Sequence, residues 1–480
     1  MIFFMNRAMG IGNSGVEHAE FYRAKLFDRL GIDYRFVMLD VVRELREAMA
    51  KWQIKNRKMI NIWEYFTFGD DYLRRGIEDL ITPKDHTLID GTNTYRIQEY
   101  ITSGGLRIVN HLVKYPDKHK KSNVLLVSTG RTEIFNQRTG EKRVMFSYVD
   151  DQHRGMLMKD IHLYNQNGQH LFFANEVLMI RYFMNKLNDF FGHNSTFIID
   201  RGEGVEMAID YHRPVGSHIV NIVHADHLSD RDDPENPLWN NHYEYLLTRL
   251  NRVDRVVVAT KLQREDLIRD FPQYAKKFVA IPVGGVRDQK TAPVKTALGD
   301  PIRLITASRL ASEKHIDLII RAVAALNKDG VHYTLDIYGG GGEEMKLNQL
   351  IDKLHAGDYV KMKGQTNQLD KLYPKYDAFV SASFSEGFGL TYIEALNAGL
   401  PVVTYKARFG AMELIKDNVN GFLQDFKRDD TQYNVDQMVT GLKRLKAADY
   451  QKLCGQTFNS VADFQDHRIA GEWRKMLDEL

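Results

Sequence analysis

Segments with the character of strands and helices alternate almost without interruption from residue 301 to residue 405. PIRLITASR is followed by a helical pattern over residues 316–327, by HYTLDIYGGGG, and by further strand-like runs with helices between them. This alternation predicts parallel strands joined by helices. The chain starts in the same way, with an apolar run from Ile2, a glycine loop, a helical pattern over residues 16–30 and a strand over 34–39. We therefore expect two Rossmann-like α/β domains.

The stretch between residues 52 and 186 has a different pattern. Runs such as LRIVNHL, VMFSYV and IHLYNQNGQHLFF alternate in character at a period of two residues, which favours antiparallel strands. Asn167-Gly168 separates two such runs and is a strong signal for a tight hairpin. We interpret this stretch as an inserted antiparallel β-meander. The alternative is that these strands belong to the first α/β sheet.

The length of 480 residues requires more than one domain. We expect an N-terminal Rossmann-like domain over residues 1–50 and 195–290, with the inserted β-rich domain over 51–194. A second Rossmann-like domain is expected over 298–460. Residues 461–480 are expected to form a helix that packs back on the first domain. Two such domains would face each other across a cleft.

Composition excludes several classes of function. The 65 basic and 63 acidic residues give a net charge of +2, which provides no global field for nucleic-acid binding. Cys454 is the single cysteine and has no disulfide partner within the chain. The sequence contains no run of 18 or more apolar residues, so no transmembrane helix is predicted. We expect a cytoplasmic protein, and peripheral contact with the inner face of the cell membrane stays open.

The strongest local signal is SFSEGFGLTYIEALNAGLPVV, which follows a predicted strand. It places Glu386 in a loop and Glu394 on the next helix, where both can reach one elongated ligand. Gly387 and Gly389 allow the backbone to approach that ligand, and the N–H groups that open a helix favour an anion such as a diphosphate. The alternative for Glu386 alone is an acid that complements the helix dipole.

Arg309 and Lys314 follow the first strand of the second domain, in ASRLASEKHID. A departing diphosphate needs cations near it, because negative charge develops as the sugar bond breaks. A guanidinium and an ammonium together suit the oxygens of two phosphates. The alternative is a solvated helix start, and for either residue taken alone it would be preferred.

Three further features are less specific. The loop containing Gly339 and Gly340 permits a tight turn but lacks the Gly-Lys-Ser/Thr of a triphosphate loop. His224 ends an apolar strand and could donate a hydrogen bond to a sugar, although a histidine in the core or in a loop is the commoner outcome. The acidic string Asp230, Asp232 and Asp233 could suggest a metal, but its polar neighbours favour a solvated loop. We expect no metal site.

Taken together, these motifs resemble the retaining family 4 glycosyltransferases, whose mark is a pair of glutamates separated by seven residues. The resemblance implies the GT-B arrangement, with the first Rossmann-like domain on the acceptor side and the second binding the nucleotide sugar. The closer resemblance is to the GtfA-type protein O-glycosyltransferases of the accessory Sec system, which act on serine-rich repeat adhesins. It is carried by GIGNSGVEHAEFYRAKLF, VHADH, LWNNHYEYL, IPVG, TASRLASEKHID, LDIYGGGGE and SEGFGLTYIEALNAGLPVV. The same layout occurs in enzymes that glycosylate wall teichoic acid.

The resemblance implies a retaining transfer of GlcNAc or glucose from a UDP-sugar, without a metal or an enzymic nucleophile. Arg309 and Lys314 would bind the diphosphate, Glu386 the sugar and Glu394 the ribose, while His224 would face the reacting sugar. Gly15 in the first loop would let donor and acceptor meet. The full set of implied donor-binding residues is Ser14, Gly15, Gly339, Gly340, Gly387, Phe388, Gly389, Leu390 and Glu394.

The resemblance also implies partners: a serine-rich repeat adhesin as acceptor and a GtfB-like subunit. Long meander strands leave edges that natural proteins cover, which agrees with such a partner. Two alternatives stay open. One is a glycosyltransferase acting on a teichoic acid polymer, and the other is a non-catalytic substrate-binding subunit. The presence of Arg309, Lys314, Glu386 and Glu394 favours an active enzyme.

Overall fold

A computed structural model describes the chain of 480 residues except for residues 13, 93–94, 117–124, 152–154, 231–237, 289–294 and 331. The described chain divides into two compact units. The first comprises Met1–Ile222 and His242–Arg255. The second comprises Val223–Asn241 and Val256–Leu480.

The first unit contains a parallel sheet, an antiparallel sheet and the helices that pack on them. Its elements in chain order are β1 Ile2–Asn6, α1 Gly15–Leu30, β2 Tyr34–Met38, α2 Leu45–Lys51, β3 Met59–Asn61, α3 Ile62–Phe68, α4 Asp70–Arg75, β4 Lys84–Thr92, β5 Tyr95–Ile101, β6 Leu106–Pro116, β7 Leu125–Asn136, β8 Lys142–Asp151, β9 Gly155–Gln166, β10 Gln169–Asn175, α5 Glu176–Phe190, β11 Thr196–Ile199, α6 Glu203–Tyr211, β12 His218–Val223 and α7 Asn241–Leu247.

The parallel sheet of the first unit has the strand order β3-β2-β1-β11-β12. Phe4 of β1 is in register with Phe36 of β2 and with Ile198 of β11. Phe3, Phe4 and Met5 are fully buried, because helices cover both faces of a parallel sheet and consecutive residues must then be apolar. The sequence prediction of an opening strand, loop, helix and strand is confirmed.

The antiparallel sheet contains seven strands in sequential order from β4 to β10. Asn167 and Gly168 connect β9 to β10 with φ angles of +51° and +82°, as a two-residue hairpin turn requires. The sheet extends from Lys84 to Asn175 and is thus shorter than the expected insert over residues 51–194. Met59–Asn61 instead forms β3, which is parallel to β2. This strand has three residues and is wholly buried, so it shows no alternation that a sequence pattern could reveal.

The second unit contains a six-stranded parallel sheet and most of the remaining helices. Its elements in chain order are β13 Leu228–Asp230, β14 Leu238–Trp239, β15 Arg255–Val258, α8 Lys261–Asp270, β16 Phe278–Ala280, β17 Ile302–Ala307, α9 Ile316–Leu326, β18 Tyr333–Tyr338, α10 Glu344–Lys353, β19 Val360–Gly364, α11 Leu369–Leu372, β20 Ala378–Val380, α12 Leu390–Asn397, β21 Val402–Tyr405, α13 Gly410–Leu414, β22 Gly421–Gln424, α14 Thr431–Ala447, α15 Tyr450–Ser460 and α16 Asp466–Asp478.

The six strands are arranged in the order β19-β18-β17-β20-β21-β22. This is the doubly wound order of a Rossmann fold, and it reverses direction between β17 and β20. Leu304 of β17 lies beside Ala378 of β20, and both are fully buried. Ligands of such folds bind at this switch point, outside the carboxyl ends of the strands. The predicted class of two Rossmann-like domains with an antiparallel insert is confirmed.

The C-terminal helix α16 belongs to the second unit. The segment before it is tied to Val286, because Val286 N–H donates to the Phe464 carbonyl at 2.9 Å and Asp466 N–H donates to the Val286 carbonyl at 3.0 Å. His467 Nδ1 lies 2.8 Å from an Asp288 carboxylate oxygen. The boundaries of the predicted domains stay predictions, and so does the packing of this helix on the first domain.

Candidate functional site

Lys314 and Glu386 meet at the switch point of the second sheet. Lys314 lies in a short 3₁₀ turn after β17, and Glu386 lies in the loop after β20. The Lys314 Nζ donates to Glu386 Oε2 at 2.8 Å, and the two side chains are only 18% and 22% exposed. Partial burial makes this pair less screened than a surface ion pair. The structure thus brings together two of the four predicted catalytic residues.

Arg309 is not part of this contact. Its guanidinium pairs with Glu313 at 2.9 Å, and its side chain is 70% exposed. The structure therefore brings Lys314 to Glu386, but it does not bring Arg309 to either of them in this conformation. The physical reason is the i,i+4 spacing within the loop, which offers Arg309 a nearby carboxylate at little conformational cost. Its predicted phosphate-binding role stays a prediction.

The backbone of Glu386 is fixed by the chain that follows β21. Glu386 N–H donates to the Arg408 carbonyl at 2.9 Å, and the Glu386 carbonyl accepts from Phe409 N–H at 2.7 Å and from Gly410 N–H at 2.9 Å. The Arg408 side chain in turn pairs with the buried Asp266 at 3.2 Å. No sequence motif indicates this support, because Glu386 and Arg408 lie far apart in the chain.

Gly387 and Gly389 have separate structural reasons to be glycine. A Cβ on Gly387 would lie 2.5 Å from the carbonyl oxygen of His224, so this loop lies directly against the segment after β12. Gly389 has φ of +89° and precedes the first turn of α12. Phe388 is buried, and Leu390 occupies the space where Gly284 lacks a side chain. Because the side chain of Phe388 is buried, Phe388 can contact a donor only through its backbone.

Glu394 lies on α12, and Tyr373 donates its hydroxyl to Glu394 Oε2 at 3.2 Å. Glu394 is an exposed residue, although the protein around its carboxyl group desolvates that group. Desolvation consequently raises the pKa of Glu394 to about 7, against the opposing effect of the Tyr373 hydrogen bond. Burial and the neighbouring carboxylate also raise the pKa of Tyr373. Tyr373 gave no signal in the sequence.

The glycine loop after β18 packs on the loop that carries Arg309 and Lys314. Leu310 N–H donates to the Gly340 carbonyl at 3.0 Å. Gly339 has φ of +141°, and a Cβ there would collide with the Ser308 carbonyl oxygen. Gly339 and Gly340 are thus explained by close packing of two loops, and their predicted donor contacts stay predictions.

Two histidines of the VHADH segment differ in environment. His224 is partly exposed and lies beside Gly387 through its carbonyl. His227 is fully buried, stacks on Phe409 with ring centroids 5.8 Å apart, and lies 3.6 Å from an Asp270 oxygen. The hydrogen-bonding influence of His227 lowers the pKa of Asp270. His227 is therefore the core histidine, and His224 stays the candidate for substrate contact.

Ser14 and Gly15 lie in the first unit, at the start of α1. Ser14 forms a capping box, because its hydroxyl accepts from backbone N–H groups of the first turn and its own N–H donates to Glu17 Oε2 at 2.8 Å. The Ser14 hydroxyl also donates to Glu17 Oε2 at 2.7 Å and accepts from Arg201 at 2.7 Å. This hydroxyl is occupied by the cap, so the side chain of Ser14 has a structural role. Gly15 has open space where a Cβ would stand and no positive φ. Packing therefore does not explain why residue 15 is glycine.

A buried group of charged residues supports this helix start. Glu20 is fully buried and accepts a hydrogen bond from Asn6 Nδ2 at 3.0 Å. Arg23 pairs with Asp200, the residue that directly follows β11. Burial, together with the charge of Asp200, raises the pKa of Glu20 well above its usual range. Sequence reasoning did not identify this group, because Arg23 and Asp200 are 177 residues apart.

The described residues contain no group of three or more His, Cys, Asp or Glu side chains placed to hold a metal ion. The side chains of the acidic string Asp230, Asp232 and Asp233 fall outside what is described. A search of the described helices finds none with the length and apolar character needed to span a membrane.

Comparison with known proteins gives consistent matches. Residues 288–449 match the family Glycosyl transferases group 1. The chain is 27% identical over 512 residues to the UDP-N-acetylglucosamine–peptide N-acetylglucosaminyltransferase GtfA subunit of Streptococcus parasanguinis, covering 100% of this chain and 99% of that one. It is 29% identical over 516 residues to the protein of the same name from Streptococcus pneumoniae serotype 4, with 100% and 99% covered.

Solved structures match over the whole chain as well. The pneumococcal O-GlcNAc transferase GtfA, in complex with UDP and GlcNAc, has a TM-score of 0.68 at 25% identity, with 100% and 98% of the chains covered. A chain of the GtfA/B complex has a TM-score of 0.73 at 25% identity, with 100% and 99% covered. Staphylococcus aureus TarM shares the fold, with a TM-score of 0.72 at 19% identity and coverage of 99% and 98%.

The parallel sheets, the loops at the switch point and these likenesses define a glycosyltransferase of the GT-B fold. Within that class, the chain is similar over its full length to GtfA subunits, at 27% and 29% identity to the two streptococcal relatives.

Proposed function

We propose that this enzyme transfers GlcNAc or glucose, with retention of anomeric configuration, from a UDP-sugar to a Ser or Thr hydroxyl of a serine-rich repeat adhesin. The observation that carries the proposal is the pair formed by Lys314 and Glu386, 2.8 Å apart at the switch point of the nucleotide-binding type of sheet. A cation for a leaving diphosphate and a carboxylate for sugar hydroxyls are the groups that this reaction needs at one point.

The proposed roles follow the positions of the side chains. Lys314 contacts the β-phosphate, and Arg309, which is exposed and joined to its loop by a long side chain, turns from Glu313 to the diphosphate when the donor binds. Glu386 accepts hydrogen bonds from the sugar hydroxyls, and Glu394 accepts them from the ribose diol. The glycine backbone at the start of α12 lets the sugar approach closely.

The reaction breaks the bond between the anomeric carbon and the β-phosphate oxygen, and forms a bond from the acceptor oxygen to the same carbon on the same face. The proton of the acceptor hydroxyl passes to the departing phosphate oxygen, so no enzymic nucleophile is needed. Lys314 stabilises the charge that develops on the diphosphate. His224 faces the reacting sugar, and Gly15 leaves room for donor and acceptor to meet. We propose that no metal participates, which turnover in the presence of EDTA tests.

The names of the relatives support GlcNAc as the donor sugar and a peptide as the acceptor. Glucose is the alternative donor. It differs from GlcNAc by one acetamido group, which an enzyme recognises through the detailed shape of its pocket. Transfer to a teichoic acid polymer is the alternative acceptor reaction, and the shared fold of TarM is the observation in its favour. A net charge of +2 gives this alternative little electrostatic support.

The deciding experiment incubates the purified chain with UDP-GlcNAc or UDP-glucose and a serine-rich peptide, and measures UDP release and peptide mass. The expected result is UDP release with a mass gain of one N-acetylhexosamine residue from UDP-GlcNAc, or of one hexose residue if UDP-glucose is the donor. Glu386→Gln and Lys314→Gln serve as inactive controls. A mass gain on a teichoic acid polymer alone would change the acceptor, and no UDP release with any combination would favour a non-catalytic subunit.

We further propose a GtfB-like partner subunit, which the solved GtfA/B complex supports by analogy. In the described antiparallel sheet, β4 and β10 are the edge strands. Leu88 and Ile89 on β4 are 50% and 56% exposed, and Phe172 on β10 is 55% exposed. Apolar side chains on sheet edges favour pairing with another chain. Gel filtration of the chain alone and of the chain with the candidate partner tests this, and a fully active monomer would contradict it.

We also propose a cytoplasmic location.

A further inference from the structure

A cavity of about 600 Å³ lies in the second unit beside the Glu386 loop. Its lining includes Phe384, Ser385 and Arg408, but none of the residues proposed above to hold the donor. Ser385 is the chain neighbour of Glu386, and the Arg408 carbonyl accepts the Glu386 N–H at 2.9 Å. A ligand in this cavity would therefore lie next to a sugar held by Glu386. The volume is typical of a binding pocket.

The cavity has apolar residues in its lining. Phe384 is held between two rings, with centroids 3.8 Å from His315 and 4.7 Å from Phe426. Phe426 and Met412 also line the cavity, and Met412 is 41% exposed. Such an exposed apolar surface suits the aliphatic parts of a polypeptide. The stack also connects His315, the residue after Lys314, to the segment just before Glu386.

The charges of the lining are unevenly compensated. Lys406 pairs with Asp425 at 2.7 Å, and Arg408 pairs with Asp266 at 3.2 Å. Lys427 lies over the Tyr433 ring at 4.5 Å. Within the described part of the chain, neither Lys427 nor Arg428 forms an ion pair with a carboxylate.

The acids of the lining limit how much negative charge a ligand can carry. Asp430 is occupied as the cap of α14, where it accepts from Tyr433 N–H at 2.9 Å. Asp226 and Asp429 add negative charge to the same cavity. Two adjacent uncompensated cations with acids nearby suit one or two carboxylates, whereas a phosphodiester polymer would favour a continuous row of cations without acids.

We propose that this cavity is the acceptor subsite, and that it binds a polypeptide segment that carries a carboxylate close to the Ser or Thr to be glycosylated. The proposal rests on the proposed function for the position of the reacting sugar. Lys427 and Arg428 bind the carboxylate, while Phe426 and Met412 contact the aliphatic parts of the segment.

The test is fluorescence anisotropy of a labelled serine-rich peptide with two glutamates, measured on the full-length enzyme with saturating UDP. The variant is Lys427→Gln/Arg428→Gln, and the matched control is Lys443→Gln/Lys446→Gln, which removes two exposed lysines from α14 of the same unit. An otherwise identical peptide with glutamines in place of the glutamates and a poly(ribitol phosphate) probe complete the set. UDP affinity is measured on every variant.

The expected result is about tenfold weaker binding of the acidic peptide to Lys427→Gln/Arg428→Gln, with the glutamine peptide and the control variant unaffected. Equal affinity of the variant and wild type for the acidic peptide would overturn the proposal. Weakened UDP binding would assign the cavity to the donor, and a loss confined to the phosphodiester probe would assign it to a polymer; both overturn it. Binding is measured without turnover, so an enzyme that releases no UDP would contradict the proposed function but leave this test intact.

Discussion

Lys314 and Glu386 are 72 residues apart in the chain, and their charged atoms lie 2.8 Å apart. Their contact follows from topology. Lys314 comes after β17 and Glu386 comes after β20, and these two strands are parallel neighbours. The loops after neighbouring parallel strands leave the same edge of the sheet, so the switch point delivers both side chains to one place. Without substrate, each charge compensates the other.

Replacing Lys314 by glutamine should lower kcat/KM for the donor by about 100-fold or more, because the cation that stabilises the leaving diphosphate is lost. Initial rates of UDP release measure this. Lys346→Gln is the matched control, since Lys346 pairs with Glu343 on an exposed face and should keep wild-type rates. Thermal unfolding of both variants checks that folding is intact. Wild-type turnover by Lys314→Gln would remove Lys314 from the site.

The affinity for UDP should depend on the protonation of Glu394. Its pKa of about 7 means that the carboxylate, which accepts from the ribose hydroxyls, is lost as the pH falls below that value. This component of the affinity should weaken by up to about tenfold per pH unit. Calorimetric titration from pH 6 to 8.5 measures it in wild type and in Glu394→Gln. The phosphate of UDP also titrates, but equally in both proteins, so identical profiles would contradict the role of Glu394.

Gly387→Ala should reduce both activity and stability, because the added methyl group would lie 2.5 Å from the His224 carbonyl oxygen. The loop that carries Glu386 must then shift, and a displacement of this kind in a positioning loop can cost about 100-fold in rate. Gly342→Ala is the control, since a Cβ there has no neighbour within 4 Å and the backbone needs no positive φ. Equal rates for the two variants would show that the loop tolerates the shift.

Local patterns predicted the parts of the structure that local physics determines. Continuous apolar runs predicted the buried parallel strands, and Asn167-Gly168 predicted a turn that needs two positive φ angles. The Glu386 loop and α12 were also predicted, because glycines between a strand and a helix restrict the possible backbone. The three-residue strand Met59–Asn61 was missed, since it is too short to show a period.

The contacts within the site depended on the tertiary fold and could not be predicted. Tyr373 reaches Glu394 from a short helix with no recognisable motif. Arg309 was expected at the diphosphate, but Glu313 four residues later is a nearer partner in the absence of ligand. Spacing identified the residue types that the chemistry requires, and only the structure tells which of them are in contact.

Glu20 should make the stability of the first unit depend on pH in the direction opposite to that of a salt-bridged acid. Burial raises the pKa of Glu20 well above its usual range, so the folded protein holds a proton that the unfolded chain releases above pH 4.5. The stability linked to this group is therefore fully present below that pH and declines as the pH rises towards the folded pKa. Glu20→Gln cannot ionise and should be more stable than wild type at pH 8, with the difference vanishing near pH 4.5. Urea unfolding followed by tryptophan fluorescence measures this difference, and Glu44→Gln, at an exposed position, is the control. If Glu20→Gln were less stable than wild type at pH 8, Glu20 would be held as a carboxylate by Arg23.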